Sequence, residues 1–240
     1  MSTYESRLQG REEIATRTLA FHFSKPAGFA FEPGQAIDLV LPGTTPADSQ
    51  DARHTFSIVS APFEAGLTVA TRMRDSVFKR RLGALPVGSP LTLDGPFGTL
   101  TLDADRARAA ILIAGGIGIT PFVSMLRQAA HERSPRRLLL LYSNRRPEDA
   151  AFLGELHELE RQSETFRLIA TMTQAGGLHV PWNGRNGPID AGLISEVATG
   201  LPRPVYYVAG PPGLVESVCD SLGEAGVGDD DIRSEDFFGY

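Results

Sequence analysis

Three glycines within four residues, Gly115, Gly116 and Gly118, follow a run of apolar and β-branched residues (Ile111, Leu112, Ile113) and precede Thr120-Pro121. The apolar run predicts a strand buried on both faces. Glycine lets the backbone turn sharply and come close to a ligand. Pro121, with φ already fixed, suits the first turn of a helix that continues through Val123, Leu126 and Ala130. Strand, glycine turn and helix N-terminus in that order aim backbone N–H groups at an anion, usually a phosphate. The helix dipole contributes only about 0.3–2 kcal/mol, so other groups must help. A tight turn with no ligand would use the same residues. Gly116-x-Gly118-x-x-Pro121 also departs from G-x-G-x-x-G at its third glycine, and Ser143-Asn144-Arg145-Arg146 stand where that fingerprint wants an acid. The pattern therefore points away from an ordinary dinucleotide-dependent dehydrogenase.

Composition narrows the field. A chain of 240 residues forms one large domain or two of ordinary size, and 42% apolar with 22% charged residues is globular usage with material for a core. A net charge of -6 argues against general nucleic-acid binding, which needs a basic face. Cys219 is alone, so no internal disulfide, cysteine-ligated iron–sulfur cluster or four-cysteine zinc site is expected, and no metal. The opening Met-Ser-Thr-Tyr-Glu-Ser-Arg lacks the apolar core of a signal peptide, and no apolar run could span a bilayer. A cytoplasmic setting is expected.

The elements that must position these residues change character along the chain. From Tyr4 to about Arg108 short alternating segments predict strands at Leu19–Phe23, Ala36–Leu41, Thr55–Ser60, Leu67–Arg72 and Leu91–Leu93. Gly43 to Asp51 reads as a polar loop. One helix interrupts them, with Phe78, Leu82 and Leu85 on one face. This is the pattern of a small antiparallel barrel. After Ala109 strands alternate with helices, which implies a parallel sheet with right-handed crossovers. Strands are expected at Ala110–Ala114, Leu138–Ser143, Phe166–Met172 and Val205–Ala209, with a last one from Ile232. A helix should start at Pro147 and bury Phe152, Leu156 and Leu159; another should start near Pro212. The fold class is thus a β-barrel plus an α/β unit, with residues 1–106 and 107–240 as the two domains.

The barrel half carries Arg53-His54-Thr55-Phe56-Ser57-Ile58-Val59-Ser60-Ala61-Pro62 and Gly95-Pro96-Phe97-Gly98. The other half carries the glycine turn, Ala209-Gly210-Pro211-Pro212 and Glu235-x-Phe237. In this order the segments resemble the ferredoxin–NADP reductase family of flavoenzymes, across nearly the whole chain. That family joins a flavin-binding barrel to a nicotinamide-dinucleotide domain, and its flavin motif is Arg-x-Tyr/Phe-Ser/Thr. The resemblance implies FAD (or FMN) and NADPH or NADH as cofactors. It assigns flavin contacts to His54, Thr55, Phe56, Ser57, Thr71, Arg72, Met73, Ser76, Val77, Phe78 and Lys79, and a stacking role to Phe237 or Tyr240. It assigns the dinucleotide to Gly115, Gly116, Gly118, Thr120, Pro121, Ser143, Asn144, Arg145, Gly210 and Pro211. Around the reacting rings it implies Ser57 near the flavin N5, with Thr120 and Glu235 at the nicotinamide face. Serine at a strand end, threonine as a helix cap and glutamate on the surface are the plain alternatives for these three.

Two positions depart from the family pattern. His54 stands where arginine is expected, and Arg53, one place earlier, points to the other face of a regular strand. A neutral imidazole holds phosphate less firmly than a guanidinium, and Lys79 is expected to supply the missing charge. Ala209 replaces a frequent cysteine. Arg145 and Arg146 could neutralise a 2′-phosphate, but Thr171-Met172-Thr173-Gln174 lacks the Ser-Arg pair of NADP-dependent relatives, which leaves the coenzyme open.

The favoured function is an FAD-dependent NAD(P)H reductase handing electrons to a separate carrier, a ferredoxin or flavodoxin. It would work as a monomer, with no nucleic acid and no membrane span. A flavin reductase that releases reduced flavin and a non-catalytic FAD-binding electron-transfer subunit are the alternatives. Arg72, Arg74, Lys79, Arg80 and Arg81 form a local basic patch on which an acidic carrier could dock.

Overall fold

Strands of two kinds build two sheets. The computed structural model describes residues 2–43, 52–174 and 182–238. In the first half β1 (Ser2–Ala15), β2 (Thr18–Ser24), β3 (Ala36–Val40), β4 (Arg53–Ser57), β5 (Gly66–Arg72) and β6 (Pro90–Phe97) pair antiparallel in the order β4-β3-β6-β1-β2-β5. Just past β4, Val59 N–H donates to the Thr68 carbonyl of β5 at 2.8 Å, which draws the two edge strands together into a barrel-like sheet. Phe21, Phe23, Ile37, Leu39, Phe56 and Val69 fill its interior. Helix α1 (Val77–Ala84) closes one mouth and buries Phe78 and Leu82. Ser76 caps it by accepting from Lys79 N–H at 3.2 Å.

In the second half β7 (Ala110–Gly115), β8 (Leu138–Asn144), β9 (Phe166–Met172), β10 (Arg185–Asn186), β11 (Val205–Gly210) and β12 (Ile232–Asp236) are all parallel, ordered β10-β9-β8-β7-β11-β12. Every residue of β7 and β11 is buried, as their continuous apolar runs demand. Helices α2 (Thr120–His131), α3 (Leu153–Gln162), α4 (Ala191–Ala198) and α5 (Pro212–Glu224) cover the sheet. Strand order reverses between β7 and β11, the place where open α/β sheets hold ligands.

Several elements differ from expectation: β1, β10 and α4 have no expected counterpart, and some boundaries shift. β4 spans Arg53–Ser57 and stops before Ile58, whose N–H turns to the Gln35 carbonyl at 2.9 Å. β6 runs on to Phe97. The helix expected from Pro147 is split: a 3-10 turn covers Pro147–Asp149, Phe152 takes a left-handed φ of 62°, and α3 starts only at Leu153. One left-handed residue cannot sit inside a right-handed helix.

The two sheets share a core. Val59, Ala20 and Ala70 of the barrel belong to the same apolar cluster as Ile117, Phe122 and Ala209. Across the seam Ser124 Oγ donates to the Ser60 carbonyl at 2.7 Å, and Thr16 N–H donates to the Glu148 carbonyl at 2.9 Å. Arg127 joins Glu64 at 3.3 Å and Glu155 at 2.6 Å, both shielded enough for the pairs to fix geometry.

Candidate functional site

The three glycines of the turn do different work. Gly116 has φ +53° and opens onto free space, since a Cβ there would meet nothing within 4 Å. Gly118 is packed: its Cβ would lie 2.2 Å from the Ala209 carbonyl oxygen and 2.6 Å from Gly210 Cα. At Gly115 the Cβ would lie 2.6 Å from a methyl of Leu214. Close approach of a ligand to backbone is therefore possible at Gly116, whereas Gly118 is glycine because the turn must seat against β11. Thr120, buried at the start of α2, donates its hydroxyl to the Ile117 carbonyl at 3.0 Å and closes the turn, with buried Pro121 next to it.

Above Gly116 lies a cleft of about 220 Å³ at the carboxyl ends of β7, β8 and β9. It brings together Arg72 from the barrel with Gly115, Gly116, Ser143, Asn144, Arg145 and Pro211, all expected from the sequence. Ile117, Thr173, Leu214 and Arg74, the last expected only as part of a basic docking patch, also line it. Thr173 lies just past the end of a parallel strand, which is a usable signal. Beneath the cleft the Asn144 carboxamide and the Thr171 hydroxyl are buried without a well-formed hydrogen bond.

In the barrel half the alternation of β4 decides the roles. Arg53 stays on the outer face, 2.8 Å from Asp38 and 2.9 Å from Asp94, and these carboxylates raise its pKa. Thr55 Oγ1 donates to the same Asp38. His54 and Phe56 point the other way, with ring centroids 4.9 Å apart, and both pack on Phe78 of α1. His54 Nε2 is buried with no hydrogen-bond partner; burial first, then the Lys79 charge, hold its pKa below the usual histidine value. Lys79 is itself buried, its Nζ donating to the Arg72 carbonyl at 3.0 Å, and burial pushes its pKa down to about 8, with Arg74 adding to the effect. An unpartnered imidazole nitrogen, a buried ammonium and the N-terminus of α1 suit the phosphates of a flavin dinucleotide. The residues present fit that group. Phe56 is 2% exposed, so its ring is core as well as a candidate flavin neighbour. Thr71 is buried, Met73 half-buried and Val77 exposed.

The expected basic patch is largely consumed. Arg72 pairs with Asp149 at 3.4 Å, Lys79 is buried, Arg80 pairs with Asp75, and Arg81 donates to the Pro42 carbonyl at 2.9 Å. Of the five, Arg74 keeps an exposed side chain without an ion pair among the described residues.

Ser57 is buried at the end of β4. Glu235 sits beside Ala209 in the parallel register, half-buried, and burial raises its pKa above the usual carboxylate range. Phe237 is buried, its N–H donating to the Gly210 carbonyl at 2.8 Å. The terminal segment is thus tied to the strand that Gly118 touches. Tyr240 and most of the Gly43–Asp51 loop lie outside the described residues. Among the described residues no group of histidines, cysteines and acids could hold a metal ion, and no helix is long and apolar enough to cross a membrane.

Residues 112–220 match the model of the oxidoreductase NAD-binding domain. The chain is similar to ferredoxin–NADP reductase B of Sorangium cellulosum, 30% identical over 237 residues and 93% of each chain. It is 29% identical over 200 residues to the reductase component of propane 2-monooxygenase from Mycolicibacterium smegmatis, covering 80% of this chain and 55% of that one. The chain thus spans little more than half of that relative's length. In fold it resembles the ferredoxin NADP+ reductase of Neisseria gonorrhoeae crystallised with FAD and NADP, at TM-score 0.82 and 20% identity over 99% of this chain and 100% of that one.

Proposed function

Because the chain belongs to the ferredoxin–NADP reductase family, we propose that it is a flavin-dependent oxidoreductase: it takes hydride from NADPH or NADH onto bound FAD and passes electrons to a separate carrier. FAD, when bound, supplies the ability to accept two electrons together and release them singly. The residues of the chain bind and orient. Gly116 lets the turn's backbone N–H groups meet the coenzyme pyrophosphate, with Arg72 and Arg145 neutralising it. His54, Lys79 and the N-terminus of α1 hold the flavin phosphates. Ser57 offers a hydroxyl at the flavin edge, Phe237 covers the ring, and Glu235, whose pKa burial raises, lies at the nicotinamide side. The carrying observation is one cleft in which an arginine of the barrel meets the glycine turn of the parallel sheet.

In this reading residues 1–106 bind FAD and 107–240 bind NAD(P)H, and the protein works as a cytoplasmic monomer. Its acceptor is a ferredoxin or flavodoxin. Cys219 is the only cysteine in these 240 residues, so they hold no cluster of their own, which supports a separate acceptor. Anaerobic addition of NADPH and NADH to purified yellow protein tests the function: bleaching is expected, and a yellow protein that neither coenzyme bleaches would overturn it. A flavin reductase releasing reduced flavin is the second reading. It is favoured by histidine in place of arginine and by the internal tether of Lys79, both of which loosen the flavin. Colourless protein that reduces added flavin would select it.

A further inference from the structure

A separate cleft of about 340 Å³ lies where the barrel, the connection between the halves and α2 meet. Arg136, just ahead of β8, places it at the amino ends of the parallel strands, opposite to Gly116. Arg136 is 4% exposed, yet it makes no ion pair among the described residues. Its Nη2 donates to the Asp103 carbonyl, while Nη1 is buried without a hydrogen-bond partner. The acids that line the cleft are engaged elsewhere or face solvent. The Asp103 carboxylate lies 2.6 Å from Arg233 and 4.0 Å from Arg108. Glu132 accepts from Gln128 Nε2 at 2.8 Å and pairs with Arg106 at 3.3 Å, and Glu32 is exposed. A buried guanidinium without a counter-ion is costly, and an anion from outside would relieve it. In the same cleft Pro33, Leu102, Met125 and Ala129 supply apolar surface.

We propose that this cleft binds a small aliphatic monocarboxylic acid, with its carboxylate on Arg136 and its hydrocarbon body against Leu102, Met125 and Ala129. A guanidinium binds a carboxylate by charge-assisted hydrogen bonds, for which Arg136 Nη1 is free. A single charge suits the site. Glu32, Asp103 and Glu132 around it disfavour a dianion such as phosphate. Gln128 Oε1, also buried without a partner, would suit an amide N–H, but a neutral ligand leaves the Arg136 charge uncompensated. The cleft shares no residue with the one above Gly116, nor with His54 and Lys79, so the acid is held without being turned over. Its walls come from both halves and their connection. An acid bound there fastens the barrel to the parallel sheet and stabilises the folded chain by mass action.

Calorimetry and thermal unfolding of the full chain, as purified, with hexanoate and its neutral isostere hexanamide test this. Hexanoate should bind about tenfold or more tighter than hexanamide, as one charge-assisted contact predicts, and should raise the melting temperature. Inorganic phosphate in excess should not displace it. Arg136→Met keeps the length of the side chain and removes its charge; it should cost about tenfold or more in hexanoate affinity. Ala129→Leu fills the cleft and leaves Arg136 in place, and should weaken hexanoate to a similar extent. If Arg136→Met fails to fold, Ala129→Leu decides alone. Absence of hexanoate binding to the parent overturns the proposal, as does equal binding of acid and amide. Displacement by phosphate would make this a bare anion site and overturns the assignment to a monocarboxylic acid. Hexanoate bound undiminished by either folded variant would place the acid elsewhere on the chain, and the proposal falls.

Discussion

The two regions proposed to hold phosphates, the glycine turn and the barrel's helix end, are built by opposite means. At the glycine turn the binding groups are backbone N–H groups and space: Gly116 faces an opening, and the polar atoms of Asn144 and Thr171 below it have no well-formed bond. In the barrel the groups are cationic side chains, and the fold has already engaged them. Arg53 is held by Asp38 and Asp94, Lys79 by the Arg72 carbonyl, and Ser76 caps α1. Of that set His54 Nε2 is left without a partner. A backbone dipole costs little to leave facing a cleft. A buried ammonium costs much more and must be tied down or lose its proton. On the proposed assignment the nucleotide side is open as it stands, while Lys79 on the flavin side would have to give up its bond to the Arg72 carbonyl to meet a phosphate.

The largest expected effect separates the glycines. Gly118→Val should destabilise the fold by about 3 kcal/mol or more, because its side chain meets the Ala209 carbonyl. Gly116→Ala should cost only about 1–2 kcal/mol for its positive φ while raising KM for coenzyme. Thermal unfolding and steady-state kinetics on both variants check this. A stable Gly118→Val protein would break the comparison.

Next in size is His54→Arg. A charge-assisted contact to phosphate should tighten FAD binding about tenfold, while a second cation beside Lys79 should lower stability without flavin. Fluorescence titration and melting with and without FAD report the two effects separately. Unchanged FAD affinity would mean Lys79 already fills the position.

Lys79→Met sharpens the same side through pH. With a pKa near 8, Lys79 is charged below that value, so FAD affinity of the parent should fall as pH rises past 8, and the variant should bind weakly at all pH values. Stability has its own signature. Between about 8 and 10.5 the unfolded chain binds the proton that the folded chain has released, so the flavin-free protein should gain stability as pH rises through that window. A parent whose affinity is flat from pH 7 to 9.5 would contradict this.

The smallest effect expected is that of Arg53→Gln. Its side chain is 44% exposed, so loss of its pairs should cost about 1 kcal/mol at most and leave FAD affinity within twofold. A tenfold loss of FAD would show that Arg53 reaches the phosphate after all.

Much of this was written in the amino-acid order. The strand–glycine–helix run from Ala109 to Phe122 specifies its local structure through β-branched residues, glycine and proline, whose preferences act over a few residues. The parity of β4 likewise assigns Arg53 and His54 to opposite faces, as their contacts show. Tertiary structure alone decided which glycine opens onto a cleft: β11 packs against Gly118, while Gly116, at φ +53°, faces free space. It also decided that Lys79 is buried, that most of the basic run is paired, and that Arg17 stands beside Arg146 in the fold, 129 positions further along the chain. Local preference is carried by neighbouring residues, whereas burial, ion pairing and the shape of a cleft depend on segments that meet only when both sheets are closed and packed together.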